Sequence, residues 1–78
     1  MPRQGRSHRI GETVTIVSSV PQWVRKTRQT KAFPIGTTGT IVSITRVHGH
    51  PTYWLEILGE GQDYPFLPND IKYKKFIK

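Results

Sequence analysis

The alternation of apolar and polar residues along the chain predicts a small all-β protein. In residues 13–17, threonines alternate with Val14 and Ile16, the pattern of a strand with one buried face. Residues 38–47 form the clearest strand signal because they are rich in β-branched side chains, which favour the extended backbone. Three shorter strands are predicted at residues 52–58, 64–67 and 71–76.

Alternation also predicts which side chains face the core. In the second strand it places Val42 and Ile44 on one face and Ile41 on the other. Trp54, on the polar side of the third strand, is expected to be partly exposed. The residues predicted to face inward on the third and fifth strands are Tyr53, Leu55, Ile57, Ile71 and Tyr73.

Glycine and proline mark the connections. Gly36 and Gly39 precede and begin the second strand, where we expect positive φ angles and a sharp turn. A tight connection is predicted at residues 48–51, and a hairpin loop is predicted at residues 59–63. Residues 68–70 are predicted to form a single 3₁₀ turn. Pro65 lies within the fourth predicted strand and indicates an edge strand or a bulge, because proline cannot donate to a ladder.

Two stretches lack a strand pattern. Residues 18–34 have no clean period, and their threonines make a poor helix, so they are predicted to form a long loop between the first two strands. A loop of this length in a compact domain is usually functional or mobile. Residues 1–9 are polar and basic and predict a disordered arm, which leaves residues 10–78 as one domain.

The order of these elements over residues 10–76 resembles the SH3-like small barrel. The stretch from Gly36 to Val42 is similar to the glycine-bearing second strand of KOW-type barrels in ribosomal and transcription proteins. The run from Val14 to Val20, followed by a basic loop, resembles the ferredoxin–thioredoxin reductase variable chain, and Arg46 to Gly49 resembles the nitrile hydratase β subunit. The resemblance implies a five-stranded SH3-like barrel with a long basic loop, and it implies a fold rather than a function.

Charge is the strongest indication of a partner. Twelve Lys and Arg stand against five Asp and Glu, a formal net charge of +7 in 78 residues. Such an excess predicts an anionic partner, which could be nucleic acid, an acidic protein or a membrane surface, although it could also serve solubility alone. No apolar run approaches the roughly 18 residues of a membrane helix, and no signal peptide is recognisable. The absence of cysteine fits a reducing cytoplasm, where we expect the protein to act.

The predicted loop carries the candidate site. Four cations lie within seven residues, with Trp23 before them and Phe33 after them; they are Arg25, Lys26, Arg28 and Lys31. Cations interleaved with rings suit nucleic acid, where charges hold phosphates and rings stack on bases. They equally suit an acidic protein surface, and the rings could instead anchor the loop on the domain. The further predicted binding cations are Arg46, Lys72, Lys74 and Lys75.

No residues predict catalysis or a resident metal. Without cysteine, and with no base recognisable beside its serines, the chain offers no nucleophile, and its five carboxylates are explained as turn, cap or solvated residues. His48 and His50 lack the third ligand that a metal site requires. We therefore expect a non-enzymatic module without a cofactor, which binds nucleic acid or, alternatively, docks on an acidic protein such as a component of an electron-transfer complex.

Overall fold

A computed structural model describes residues 8–73 of the chain, and these residues are mostly β. The elements in chain order are β1 (Thr13–Ile16), β2 (Pro21–Val24), β3 (Gln29–Ala32), β4 (Thr38–Val47), β5 (His50–Glu56), β6 (Asp63–Phe66), the 3₁₀ turn η1 (Pro68–Asp70) and β7 (Ile71–Tyr73). Five of these strands match the predicted ones, which confirms the all-β class. Most of the predicted arm, Lys74, Lys75 and the end of the fifth predicted strand lie outside the described residues.

Five strands form one antiparallel sheet in the order β6-β5-β4-β1-β7. The longest pairing joins β4 to β5 through a two-residue turn at His48 and Gly49, whose φ angles are 53° and 81°. Positive φ at both central residues is the hairpin geometry that fits the twist of the flanking strands. β6 is an edge strand, as Pro65 predicted, and η1 occupies the predicted 3₁₀ turn. No helix long and apolar enough to cross a membrane occurs between residues 8 and 73.

The core lies on one face of this sheet. Its buried members are Val14, Ile16, Phe33, Ile41, Tyr53, Leu55, Ile57, Tyr64, Phe66 and Ile71. The prediction that Tyr53, Leu55, Ile57 and Ile71 face inward is therefore confirmed. Tyr73 is an exception, because it is 43% exposed. It lies opposite Val14 on β7, which ends the sheet as described over residues 8–73.

A β-bulge in β4 overturns the predicted facing of that strand. Ile41 lies opposite Leu55 and Ser43 opposite Trp54, so Val42 is the extra residue. The extra residue shifts the alternation by one position. Ile44 consequently lies opposite the buried Tyr53 and packs against the core on the same face as Ile41, rather than together with Val42.

The two glycines before and in β4 have different roles. Gly36 has a φ of +103°, as the turn prediction required. Gly39, in contrast, does not have a positive φ and is buried within the strand. A Cβ at position 39 would lie only 3.2 Å from Ile57 Cγ1 and 3.3 Å from Glu56 O and Leu55 Cβ. The prediction of a positive φ at Gly39 is wrong, and close packing against β5 explains this glycine instead.

The predicted long loop contains a second, two-stranded sheet. β2 and β3 pair antiparallel, with Val24 opposite Gln29, and the turn between them is closed by a 2.8 Å hydrogen bond from Arg28 N to Val24 O. We call residues 21–32 the basic hairpin. All four residues of β3 are exposed, so the sequence carries no period-2 burial signal there, and this explains why the hairpin was predicted as a loop.

Candidate nucleic-acid interface

The basic hairpin is attached to the main sheet by polar side chains. Gln22 is buried, and its Nε2 donates a 2.7 Å hydrogen bond to the carbonyl oxygen of Pro65. Pro65 lies on β6, the strand that ends the five-stranded sheet as described over residues 8–73. The Gln22 amide therefore satisfies an edge carbonyl while it holds β2 beside the sheet.

Gln62 makes the second attachment. Its Oε1 accepts a 3.0 Å hydrogen bond from the backbone N–H of Arg25, and its Nε2 donates a 3.0 Å bond to the carbonyl oxygen of Trp23. One side-chain amide thus imitates a neighbouring strand, because it offers β2 both an acceptor and a donor. The contact fixes the start of the basic turn relative to the loop between β5 and β6.

A charged clamp holds β3 to the same loop. Lys31 Nζ donates a 2.8 Å hydrogen bond to Glu60 Oε2, while the Tyr64 hydroxyl donates a 3.0 Å bond to Glu60 Oε1. The Lys31 ammonium also lies 5.1 Å from the centroid of the Phe33 ring, which packs edge-on against Tyr64 at 4.9 Å. The hydrogen bond from Lys31, and then that from Tyr64, lowers the pKa of the Glu60 carboxyl. Burial, reinforced by Glu60, raises the pKa of the Tyr64 phenol.

The predicted cations separate into distinct groups. Arg25, Lys26 and Arg28 are exposed in the hairpin turn, and their side chains form no salt bridge within residues 8–73. Lys31 differs because its charge is compensated by Glu60. Of the two rings, Phe33 is buried and anchors the hairpin, whereas Trp23 is 55% exposed. The turn and Trp23 therefore present charge and an aromatic surface together.

Arg46 and Lys72 lie away from this turn. Thr45 shares a face with Trp54, since the Trp54 indole Nε1 donates a 3.0 Å hydrogen bond to Thr45 Oγ1. The next residue, Arg46, consequently lies on the opposite face of β4. Lys72 lies on β7 and pairs with Thr15 of β1. In the strand order of the sheet, β7 is at the opposite end from β6.

A groove brings together two tryptophans that are distant in sequence. It has a volume of about 270 Å³ and is lined by Gln22, Trp23, Arg25, Trp54, Gln62, Asp63 and Pro65. We call it the tryptophan groove. Trp54 lines the groove because the pairing of β5 with β6 places it opposite Pro65. Trp23 lines the groove because Gln22 and Gln62 hold β2 beside β6. The predicted partial exposure of Trp54 is confirmed, but its association with Trp23 follows from strand pairing and the two glutamine contacts, which leave no signal in the sequence.

A second groove lies on the other side of the hairpin. Its volume is about 470 Å³, and Lys26, Lys31 and Glu60 are among the residues that line it. Here the carboxylate of Glu60 adjoins the cations, so the positive potential is weaker than at the outer face of the turn. No cluster of three or more His, Asp or Glu residues that could hold a metal ion occurs in the described part of the chain.

Comparison with models of protein families, with curated proteins and with solved structures yields no match for this chain.

Proposed function

We propose that this protein is a non-enzymatic module that binds nucleic acid through the basic hairpin. The observation that carries the proposal is the placement of Arg25 in one groove with the exposed Trp23 and the partly exposed Trp54, next to the exposed Lys26 and Arg28 of the same hairpin turn. Cations of this kind contact phosphates, and aromatic rings stack on bases whatever the sequence. A net charge of +7 adds long-range attraction for a polyanion.

Docking on an acidic protein is the second candidate function. It is favoured by the pairing of Trp23 with Arg25 in one groove, because Trp and Arg are the residues most often found at the energetic centre of protein interfaces. Such a partner would use the same surface. The two functions predict different ligands at low salt. A nucleic-acid-binding module would bind DNA or RNA of any sequence, whereas a docking module would bind one acidic protein.

We also propose that the main sheet closes into an SH3-like barrel and that the protein acts in the cytoplasm. The strand order β6-β5-β4-β1-β7, with a 3₁₀ turn between β6 and β7, agrees with the element order on which that resemblance rests. Nuclear Overhauser contacts between backbone protons of β6 and β7 would support closure. If those contacts were missing while the pairings within the sheet were observed, the sheet would be open.

The salt dependence of binding tests the proposed function. Each phosphate contact contributes about 0.7 to 0.9 to the slope of log K against log salt, so three hairpin cations predict a slope of roughly −2 to −3. Replacing Arg25 and Arg28 with glutamine should reduce the magnitude of this slope by about 1.5. Fluorescence anisotropy with labelled single-stranded and duplex DNA and RNA, over a series of salt concentrations, measures both quantities.

Arg46→Gln provides a matched control, because it removes one exposed cation from outside the hairpin. It should change the slope less than a single hairpin substitution does. If wild-type protein binds no DNA or RNA at low salt, where electrostatic attraction is largest, the nucleic-acid proposal fails. Retention of one acidic protein from a nuclease-treated extract of the host would then favour the second function.

A further inference from the structure

We infer that the tryptophan groove receives one unpaired base and prefers bases that carry an amino group. This inference rests on the proposed function and makes it more specific, since it names single-stranded nucleic acid as the ligand. A volume of about 270 Å³ lies just below the range of small-molecule pockets, so the groove suits one planar ring rather than a whole cofactor.

One ring of the groove, and the backbone that carries the other, are held in place before a ligand arrives. The Trp54 indole is oriented by its hydrogen bond to Thr45, and the backbone of Trp23 is held through its carbonyl by Gln62. Rigid rings lose little conformational entropy when a base stacks on them. The groove is therefore suited to stacking, which is the interaction that single strands offer and that a duplex conceals.

The polar groups of the groove decide which base edge fits. The hydrogen-bonding groups of Gln62 are bonded to the backbone of β2, and the Gln22 Nε2 and Trp54 Nε1 groups are also engaged. Two charged groups stay unengaged within the range 8–73: the Arg25 guanidinium, which the proposed function assigns to phosphate, and the Asp63 carboxylate, which accepts no hydrogen bond there. A carboxylate only accepts hydrogen bonds, so it favours the amino group of cytosine over the carbonyl oxygen that thymine and uracil carry at the same position.

Charge sets the direction of the strand's backbone. Asp63 lies opposite Glu56 in the pairing of β5 with β6, and two neighbouring carboxylates repel phosphates on that side of Trp54. Arg25, the first residue of the hairpin turn, lines the groove together with Trp23. A bound strand would therefore run its phosphates along the hairpin and point one base into the groove.

Intrinsic fluorescence tests this arrangement directly, because Trp23 and Trp54 are the only two tryptophans of the chain. Oligo(dC), oligo(dT) and a DNA duplex are titrated into the full-length protein, and tryptophan quenching is recorded together with anisotropy. We expect quenching by the single strands but not by the duplex. Oligo(dC) should bind about 2- to 12-fold more tightly than oligo(dT), the equivalent of one hydrogen bond.

Substitutions separate stacking from base choice. Trp23→Ala and Trp54→Ala should each weaken single-strand binding by about 5- to 150-fold with an unchanged salt slope. Trp54→Phe keeps a ring and should restore part of the loss, which guards against a folding defect in the alanine variant. Asp63→Asn, whose amide can also donate, should bring the affinities for oligo(dC) and oligo(dT) together while both strands remain bound.

The outcomes distinguish this inference from the proposed function. If DNA binds with the expected salt slope but quenches neither tryptophan, and Trp54→Ala binds as well as wild type, the groove assignment is wrong although nucleic-acid binding stands. Equal affinity for oligo(dC) and oligo(dT) in wild type overturns the base preference. Quenching by polyglutamate without any response to oligonucleotides overturns both proposals and identifies the groove as a protein-binding surface.

Discussion

At Gly39, the absence of a side chain allows β4 to pack closely against β5. It is buried in β4, and the space that a side chain would need is already taken by Leu55, Glu56 and Ile57. The contacts of 3.2 to 3.3 Å that a Cβ would make are tighter than ordinary van der Waals contacts, so the neighbouring atoms would have to shift slightly to accommodate it. Two of the three nearest atoms, a carbonyl oxygen and a Cβ, are at or next to the backbone and cannot move aside by changing rotamer.

Gly39→Val is accordingly expected to destabilise the protein by about 1–3 kcal/mol, the usual cost of overpacking. Urea denaturation of wild type and variant measures the difference. Thr38→Val is the matched control, because it introduces the same side chain at the neighbouring exposed position of β4 and should cost far less. An unchanged unfolding midpoint for Gly39→Val would show that β5 can move away from β4.

The basic hairpin is the element in which sequence and structure agree least. Neither of its strands pairs with the five-stranded sheet, and within residues 8–73 it is held by Gln22, Gln62 and the Lys31–Glu60 pair together with packing of Val24 on the core. Structure held by few, partly exposed contacts opens more readily than the global fold. The two glutamine amides therefore determine how rigidly the candidate site is presented.

Gln62→Ala tests the attachment of the hairpin. Loss of both amide bonds should cost about 1–3 kcal/mol at most, since each intramolecular hydrogen bond contributes about 0.5–1.5 kcal/mol net. The more specific effect is local: amide hydrogen exchange at Arg25 and in the adjoining turn should accelerate, while exchange in β1 and β4 stays slow. Gln29→Ala, at an exposed position of β3, is the control. Uniform acceleration in every strand would mean that the hairpin opens only with the whole domain.

The sequence predicted the main sheet because burial leaves a periodic signal. The inward faces of β1 and β5 are apolar at every second position, and Pro65 correctly indicated the edge strand. The bulge at Val42 could not be predicted, because the neighbours Ile41, Val42 and Ile44 are all β-branched and apolar, so either phase is acceptable. The hairpin was missed because β3 buries nothing. The groove was missed because Trp23 and Trp54 meet only through the pairing of β5 with β6 and the amides of Gln22 and Gln62.

At the scale of the whole molecule, the clamp formed by Lys31, Glu60 and Tyr64 couples stability to pH. The pKa of Glu60 is lowered in the folded protein, so folding favours its ionised form. The resulting stabilisation is present above the pKa of an unfolded glutamate, about 4.3, and is lost as the pH falls through the lower folded pKa. The pKa of Tyr64 is raised, so its contribution is lost in the opposite direction, as the pH rises above about 10.

Glu60→Gln is expected to lower stability at pH 7 and to flatten the decrease between pH 5 and pH 3, a range set by the glutamate pKa. Urea unfolding midpoints at several pH values measure this dependence. Glu56→Gln removes an equal charge from an exposed position of β5 and is the matched control. If wild type and Glu60→Gln lost stability in parallel on acidification, other groups would govern the acid response, and the clamp would contribute packing alone.

The independence of the basic hairpin from the main sheet bears on how such a protein can evolve. Its turn, residues 25–28, contributes no side chain to the buried core, so substitutions there escape the selection that packing imposes. Partner choice can therefore diverge between descendants of one ancestor while the sheet is inherited unchanged. Among relatives, we expect the sequence of the turn to vary fastest and its charge to differ in sign. A glutamine at position 22, which donates a hydrogen bond to the Pro65 carbonyl of β6, should persist.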